Sequence, residues 1–162
     1  MVSRIAGLAA FLTLALTAGA AQAAVEVRVD KASQRMQVFV DGEQKYTFVV
    51  STGTAGGPPN GTFRPQRLER DWRSRTFNMA PMPYSIFFHG PFAIHGTTAV
   101  KKLGQRASHG CVRLHPSNAA ILFNLVKQHG MSNTRIVIAP SVSRARTAEL
   151  GVGAKSEAPK AQ

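Results

Sequence analysis

Valines at every second position open the regular part of the chain. In "VEVRVDKASQRMQVFVDGEQKYTFVVSTG" the apolar residues Val25, Val27 and Val29 alternate with polar ones, and the pattern returns at Met36, Val38 and Val40 and at Tyr46, Phe48 and Val50. A period of two puts alternate side chains on one face of a strand. Asp41-Gly42, between the second and third runs, is a hairpin signal, so the segment predicts a β-meander. "TAGGPPNGTFRPQ" follows, dense in Gly, Pro and Asn, and predicts a loop. From Arg67 to Gly96 the pattern is less regular. Apolar and aromatic runs around Phe77, from Tyr84 to Phe88 and from Phe92 to Ile94 predict short strands broken by Pro81, Pro83 and Pro91.

The period changes at "PSNAAILFNLVKQHG". Leu122, Leu125, Val126 and His129 recur at helical spacing, Pro116 or Ser117 suits the first turn, Lys127 the last, and Gly130 the position just past the end. "RIVIA", Arg135 to Ala139, predicts a closing strand. Residues 141–162 are poor in large apolar side chains and rich in Ala, Arg, Lys, Ser and Gly, the composition of a disordered basic tail.

The other end has a different character. Residues 1–23 carry Arg4, an apolar run from about Ile5 to Leu16, and small residues at Ala21 and Ala23, which together have the build of a secretory signal peptide cleaved after Ala23. The apolar run is shorter than the roughly 20 residues a membrane span needs. The chain therefore reads as an exported protein of the periplasm or cell envelope, with one domain at 24–140.

The net charge is +12, and loss of residues 1–23 removes only Arg4 from it. For an exported chain such a surplus points to electrostatic contact with anionic wall polymers or membrane surfaces. The repeated aromatic-basic clusters that stack bases are missing beyond Trp72 and Phe77, which argues against nucleic acid.

One stretch concentrates the reactive side chains. "AIHGTTAVKKLGQRASHGCVRLHPS", Ala93 to Ser117, holds three of the five histidines and the single cysteine. A lone thiol in an oxidising compartment is either buried as a small hydrophobe or used. Used, Cys111 would be a nucleophile: Gly110 before it permits a tight backbone whose N–H groups can converge on an oxyanion. A thiol titrating near pH ~8.5 also needs an imidazole or a cation beside it to ionise, and His95, His109, Arg106 and Arg113 are candidates. His95 ends the run "PFAI", sixteen positions before Cys111, so two neighbouring strands can bring the pair to one edge. A satisfied core histidine is the equal alternative for it. His89 reads as a strand end, His115 as part of the helix entry, and His129 as structural.

A zinc site is the other use of so many nitrogens. No CxxC or HExxH unit fixes ligand spacing, and no Asp or Glu between Asp71 and Glu149 is available to orient ligating histidines, so no metal or other cofactor is expected. The same gap leaves a backbone carbonyl, Gly96 being nearest, to orient His95.

"IHGTTAVKKLGQRASHGCVRL" resembles the signature of the L,D-transpeptidase catalytic domain family, also called YkuD, in which a His-Gly pair precedes a Ser-His-Gly-Cys-[Val/Ile]-Arg block. "VDKASQRMQVFVDGE", "VVSTGTAGGPPNGTFRP" and "MPYSIFF" extend the similarity over about residues 25–139. The resemblance implies a mainly β fold, a β-sandwich of mixed sheets with one main α-helix. By position it makes Cys111 the nucleophile and His95 the base, held by the Gly96 carbonyl. It also places the N–H groups of Gly110 and Cys111 in the oxyanion hole, with His109, Arg113, Ser108 and Tyr84 as residues shaping the site or touching substrate. In the earlier loop Pro59 and Gly61 align, while Pro58 stands where the family has threonine.

The implied activity is acyl transfer on peptidoglycan stem peptides through a cysteine thioester, with an amine of a second stem or of a wall-anchored protein as acceptor. Two rivals follow from the same residues: a hydrolase of the same fold, in which water resolves the thioester, and a non-catalytic wall-binding domain. The intact Cys111, His95 and Ser108 to Cys111 block argues against the last.

Overall fold

A computed structural model describes residues 23–141. The signal peptide expected at 1–23 and the basic tail expected at 141–162 fall, but for their innermost residues, outside the described part. No helix among the described residues is long and apolar enough to cross a membrane.

The predicted meander forms as β1 (Val25–Asp30), β2 (Arg35–Val40) and β3 (Glu43–Val49), antiparallel in that order. Asp41 and Gly42 join β2 to β3 with φ of 50° and 83°, the doubly positive geometry for which Asp-Gly is favoured. Val25, Val27, Val29, Met36 and Val38 are fully buried, as their alternation requires. The closing strand β9 (Thr134–Ala139) lies parallel to β1, and β4 (Gly61–Phe63), a short strand inside the expected loop, pairs with its other edge, giving the order β3-β2-β1-β9-β4.

The second sheet has the order β5-β6-β7-β8, from β5 (Arg67–Ser74), β6 (Ala80–His89), β7 (Phe92–Gly96) and β8 (Val112–Leu114). Two expectations are corrected here. Phe77 belongs to the turn between β5 and β6 instead of a strand, and Pro81 and Pro83 lie within β6 instead of breaking it. β7 pairs with β6 only from Ile86 onward, so the first half of β6 has an open edge, where proline forfeits no ladder bond. Pro91 does fall at a turn, after Gly90 with φ 51°.

The helix α1 (Pro116–His129) runs as predicted, capped by His115, whose Nδ1 accepts from the Ser117 N–H, and ended by Gly130 with φ 92°. It packs on β6 and β7 and touches β1. Ala119, Leu122, Phe123 and Val126 join Ile86, Phe88, Ile94, Val112, Leu114, Ile136 and the meander valines in one core between the sheets. The mainly β sandwich of mixed sheets with one main helix is therefore the fold of the described residues.

Candidate active site

β7 and β8 are neighbours and parallel, with Ile94 opposite Val112, His95 opposite Arg113 and Gly96 opposite Leu114. Alternation sends Ile94, Val112 and Leu114 into the core and leaves His95, Arg113 and, one residue before β8, Cys111 for the opposite face. All three line one cleft of about 560 Å³. Burying one face of each strand thus fixes the register that brings the histidine and the cysteine together.

His95 is 5% exposed. Its Nδ1 lies 2.7 Å from the carbonyl oxygen of Gly96, and a carbonyl can only accept, so Nδ1 carries the proton and Nε2 is left with its lone pair. Burial lowers the His95 pKa to about 4; the Gly96 carbonyl acts in the opposite direction, and the Arg113 charge adds to the lowering. The Cys111 thiol is shifted upward, again by burial first, with the Ala93 N–H and Arg113 favouring the thiolate. Both shifts favour neutral forms. In the cleft that both residues line, burial thus favours a thiol and a neutral imidazole over a thiolate and an imidazolium.

The loop before Cys111 is held by its own first residue. The Ser108 hydroxyl accepts from the Gly110 N–H at 3.0 Å and donates to the Cys111 carbonyl at 2.6 Å. Ser108 is buried and makes both of these bonds inside the loop, and it lines the same cleft as Cys111. The Gly110 N–H, expected to face an oxyanion, is engaged by that hydroxyl in the free protein. Gly110 itself has φ 145°, and a methyl group there would meet Phe92 Cε1 at 2.5 Å, so the position is closed to any side chain.

His109 is exposed and lines the cleft, with its ring stacked on Phe77 at 4.2 Å between centroids. Arg113 also lines the cleft and donates to the Ala107 carbonyl at 3.1 Å. Tyr84 is not brought to this cleft: it packs edge-on against Phe123 of α1, with the Arg70 guanidinium over its ring. His89 faces a separate groove beside Phe63 and Arg64, and His115 caps the helix. Among the described residues no group of three or more His, Cys, Asp or Glu is placed to hold a metal ion.

Sequence reasoning missed the wall opposite the cysteine. It is the β5–β6 hairpin, through Ser74, Thr76, Phe77, Ala80, Pro81 and Met82. Phe77 and Met79, exposed by 46% and 54%, are the available signal: large apolar residues just after Arg73 and Arg75 at a hairpin tip have no core to fill.

The family described as the L,D-transpeptidase catalytic domain (YkuD) matches residues 24–138. Among solved structures, an L,D-transpeptidase from Stackebrandtia nassauensis is 25% identical with a TM-score of 0.63, over 76% of this chain and 58% of that one. An L,D-transpeptidase from Mycobacterium smegmatis is 24% identical with a TM-score of 0.62, over 72% and 58%. The transpeptidase LdtMt1, solved in complex with imipenem, gives 24% and 0.62, over 72% and 59%. The chain thus spans under two thirds of the length of these structures. No curated protein sequence matches it. With the family matched across both sheets and through the loop that carries Cys111, the chain belongs to the L,D-transpeptidase catalytic domain family.

Proposed function

We propose that the protein is an exported L,D-transpeptidase that acts on peptidoglycan stem peptides with Cys111 as nucleophile and His95 as base. The observation that carries this reading is the Nδ1 bond of His95 to Gly96, which leaves Nε2 as an acceptor in the cleft that Cys111 lines.

In the reaction, Sγ bonds to the carbonyl carbon at the L-centre of the stem's diamino acid while its proton passes to His95 Nε2. The C–N bond to the terminal D-alanine then breaks, and the proton leaves with the D-alanine amine. The thioester carbonyl is next attacked by an amine of a neighbouring stem or of a wall-anchored protein. His95 takes the amine proton and returns it to the departing sulfur. The Cys111 N–H is available to the oxyanion, and the Gly110 N–H joins it once Ser108 yields. His109 and Arg113 shape the cleft, Arg113 with a charge suited to stem carboxylates. No metal or organic cofactor has a role in these steps.

Transfer is favoured over hydrolysis by the cleft's lining, since Phe77, Pro81, Met82, Pro91 and Phe92 make a wall that an organic acceptor can displace water from. Export rests on residues 1–23, and the basic surplus fits contact with anionic wall or membrane surfaces. Incubation of the purified protein with disaccharide-tetrapeptide, followed by mass spectrometry, tests the reaction. Cross-linked dimers are expected; shortened monomers alone would make the protein a hydrolase.

A further inference from the structure

The turn between β1 and β2 is built around a buried lysine. Lys31 is 6% exposed, and its ammonium donates to the Gly56 carbonyl at 2.8 Å and the Pro58 carbonyl at 2.9 Å. Burial lowers its pKa, and the Arg106 charge adds to this, so holding a cation here is costly unless these bonds repay it. They close the turn of residues 53–58, in which the Gly53 N–H also donates to the Gly57 carbonyl at 2.8 Å.

That turn lies directly behind the nucleophile loop. A methyl group on Gly53 or on Gly57 would come within 2.9 Å of the Gly110 Cα, so three glycines allow two backbones to touch. On its other side Gly110 meets the Phe92 ring. The Thr54 N–H donates to the Ser108 carbonyl at 3.0 Å, tying the same two segments at the loop's start. Gln34, at the other end of the Lys31 turn, braces the neighbouring strand end through Thr52, whose carbonyl accepts from Ala107 and Ser108.

We propose that Lys31 is a positioning residue for the reaction: by clamping the 53–58 turn against Gly110, it fixes the backbone that presents Cys111 and its N–H to the substrate carbonyl. Lys31 touches neither substrate nor sulfur, and the inference rests on the reading of Cys111 as the nucleophile. The consequence is kinetic, because a loop displaced by about 1 Å can cost on the order of a hundredfold in rate without loss of binding.

The test uses Lys31→Met in the full chain, which keeps the apolar stem and removes the donors. Two measurements are made: amide hydrogen exchange residue by residue, and acylation by imipenem resolved into its binding constant and its maximal rate. Exchange at Gly110 and Thr54, whose N–H groups are bonded to Ser108, is expected to rise at least tenfold while Val27 and Ile136 keep their protection, and the maximal acylation rate to fall by about tenfold to a hundredfold with the binding constant unchanged. Unchanged exchange at Gly110 and Thr54, or a loss confined to the binding constant, overturns the proposal. If Lys31→Met does not fold, Gly57→Ala, which presses the same turn onto Gly110, must give the same split. Failure of the wild-type protein to acylate counts against the proposed function, and the exchange measurement still decides the role of Lys31.

Discussion

His95 points Nδ1 at the carbonyl of the residue that follows it, Gly96, at 2.7 Å. A backbone carbonyl cannot change its protonation state, so it fixes the imidazole tautomer at every pH at which the ring is neutral. The consequences for pH come from this contact and from burial together.

Because burial depresses His95 to about 4 and raises the thiol, the active form is the neutral pair. The second-order rate of acylation by imipenem should fall on the acid side with a midpoint near pH 4, well below the ordinary histidine value of about 6.5. A midpoint between pH 6 and 7 would mean that the ring is solvated and ordinary.

The same shift couples folding to pH. Between about 6.5 and 4 the unfolded chain binds a proton at residue 95 and the folded chain does not, so stability is full above the unfolded value and is lost as pH falls toward the folded one. The contribution is about 3 kcal/mol at its full extent. Urea melts of wild type and His95→Asn at pH 7.5 and pH 4 should show the wild type losing that much more; equal losses would place the cause elsewhere.

Ser108 spends its hydroxyl on Gly110 and Cys111. Ser108→Ala leaves a buried N–H and a carbonyl without partners, which costs about 1–3 kcal/mol in each protein so altered. A matching drop in the denaturant midpoint is expected, together with slower acylation. A variant as stable and as fast as wild type would remove Ser108 from the account.

Phe77 and His109 stack at 4.2 Å at the mouth of the cleft, both exposed. An aromatic pair of this kind is worth about 0.5–1.5 kcal/mol. Phe77→Ala should therefore lower Tm by a few degrees and, because Phe77 also lines the cleft, raise KM for the tetrapeptide by about twofold to tenfold. An unchanged KM would show that the hairpin tip takes no part in binding.

Much of this was legible in the sequence wherever burial imposes a period. The alternating valines gave β1, the apolar spacing of Leu122, Leu125 and Val126 gave the helix, and the dense Ser108 to Arg113 block located the cleft. What escaped was held by other forces. β5 reads "RLERDWRS" and has no buried residue, so no apolar period marks it; it stands through its ladder to β6 and through Arg67, whose guanidinium lies over the rings of Trp72 and Phe87. Tyr84 escaped because one aromatic residue can serve a cleft or a helix equally, and only the φ of 55° at that position and the nearness of Phe123 send it to the helix. The engagement of the Gly110 N–H by Ser108 is a three-dimensional fact with no counterpart in spacing.

Whether the single cysteine is the nucleophile is answered most directly by intact-protein mass spectrometry after incubation with imipenem. The wild-type chain should gain the mass of one molecule, since opening the β-lactam C–N bond onto sulfur loses no atoms, and Cys111→Ala should gain nothing. A Cys111→Ala protein that acquires the same adduct, or a wild-type protein that acquires none, would contradict the account.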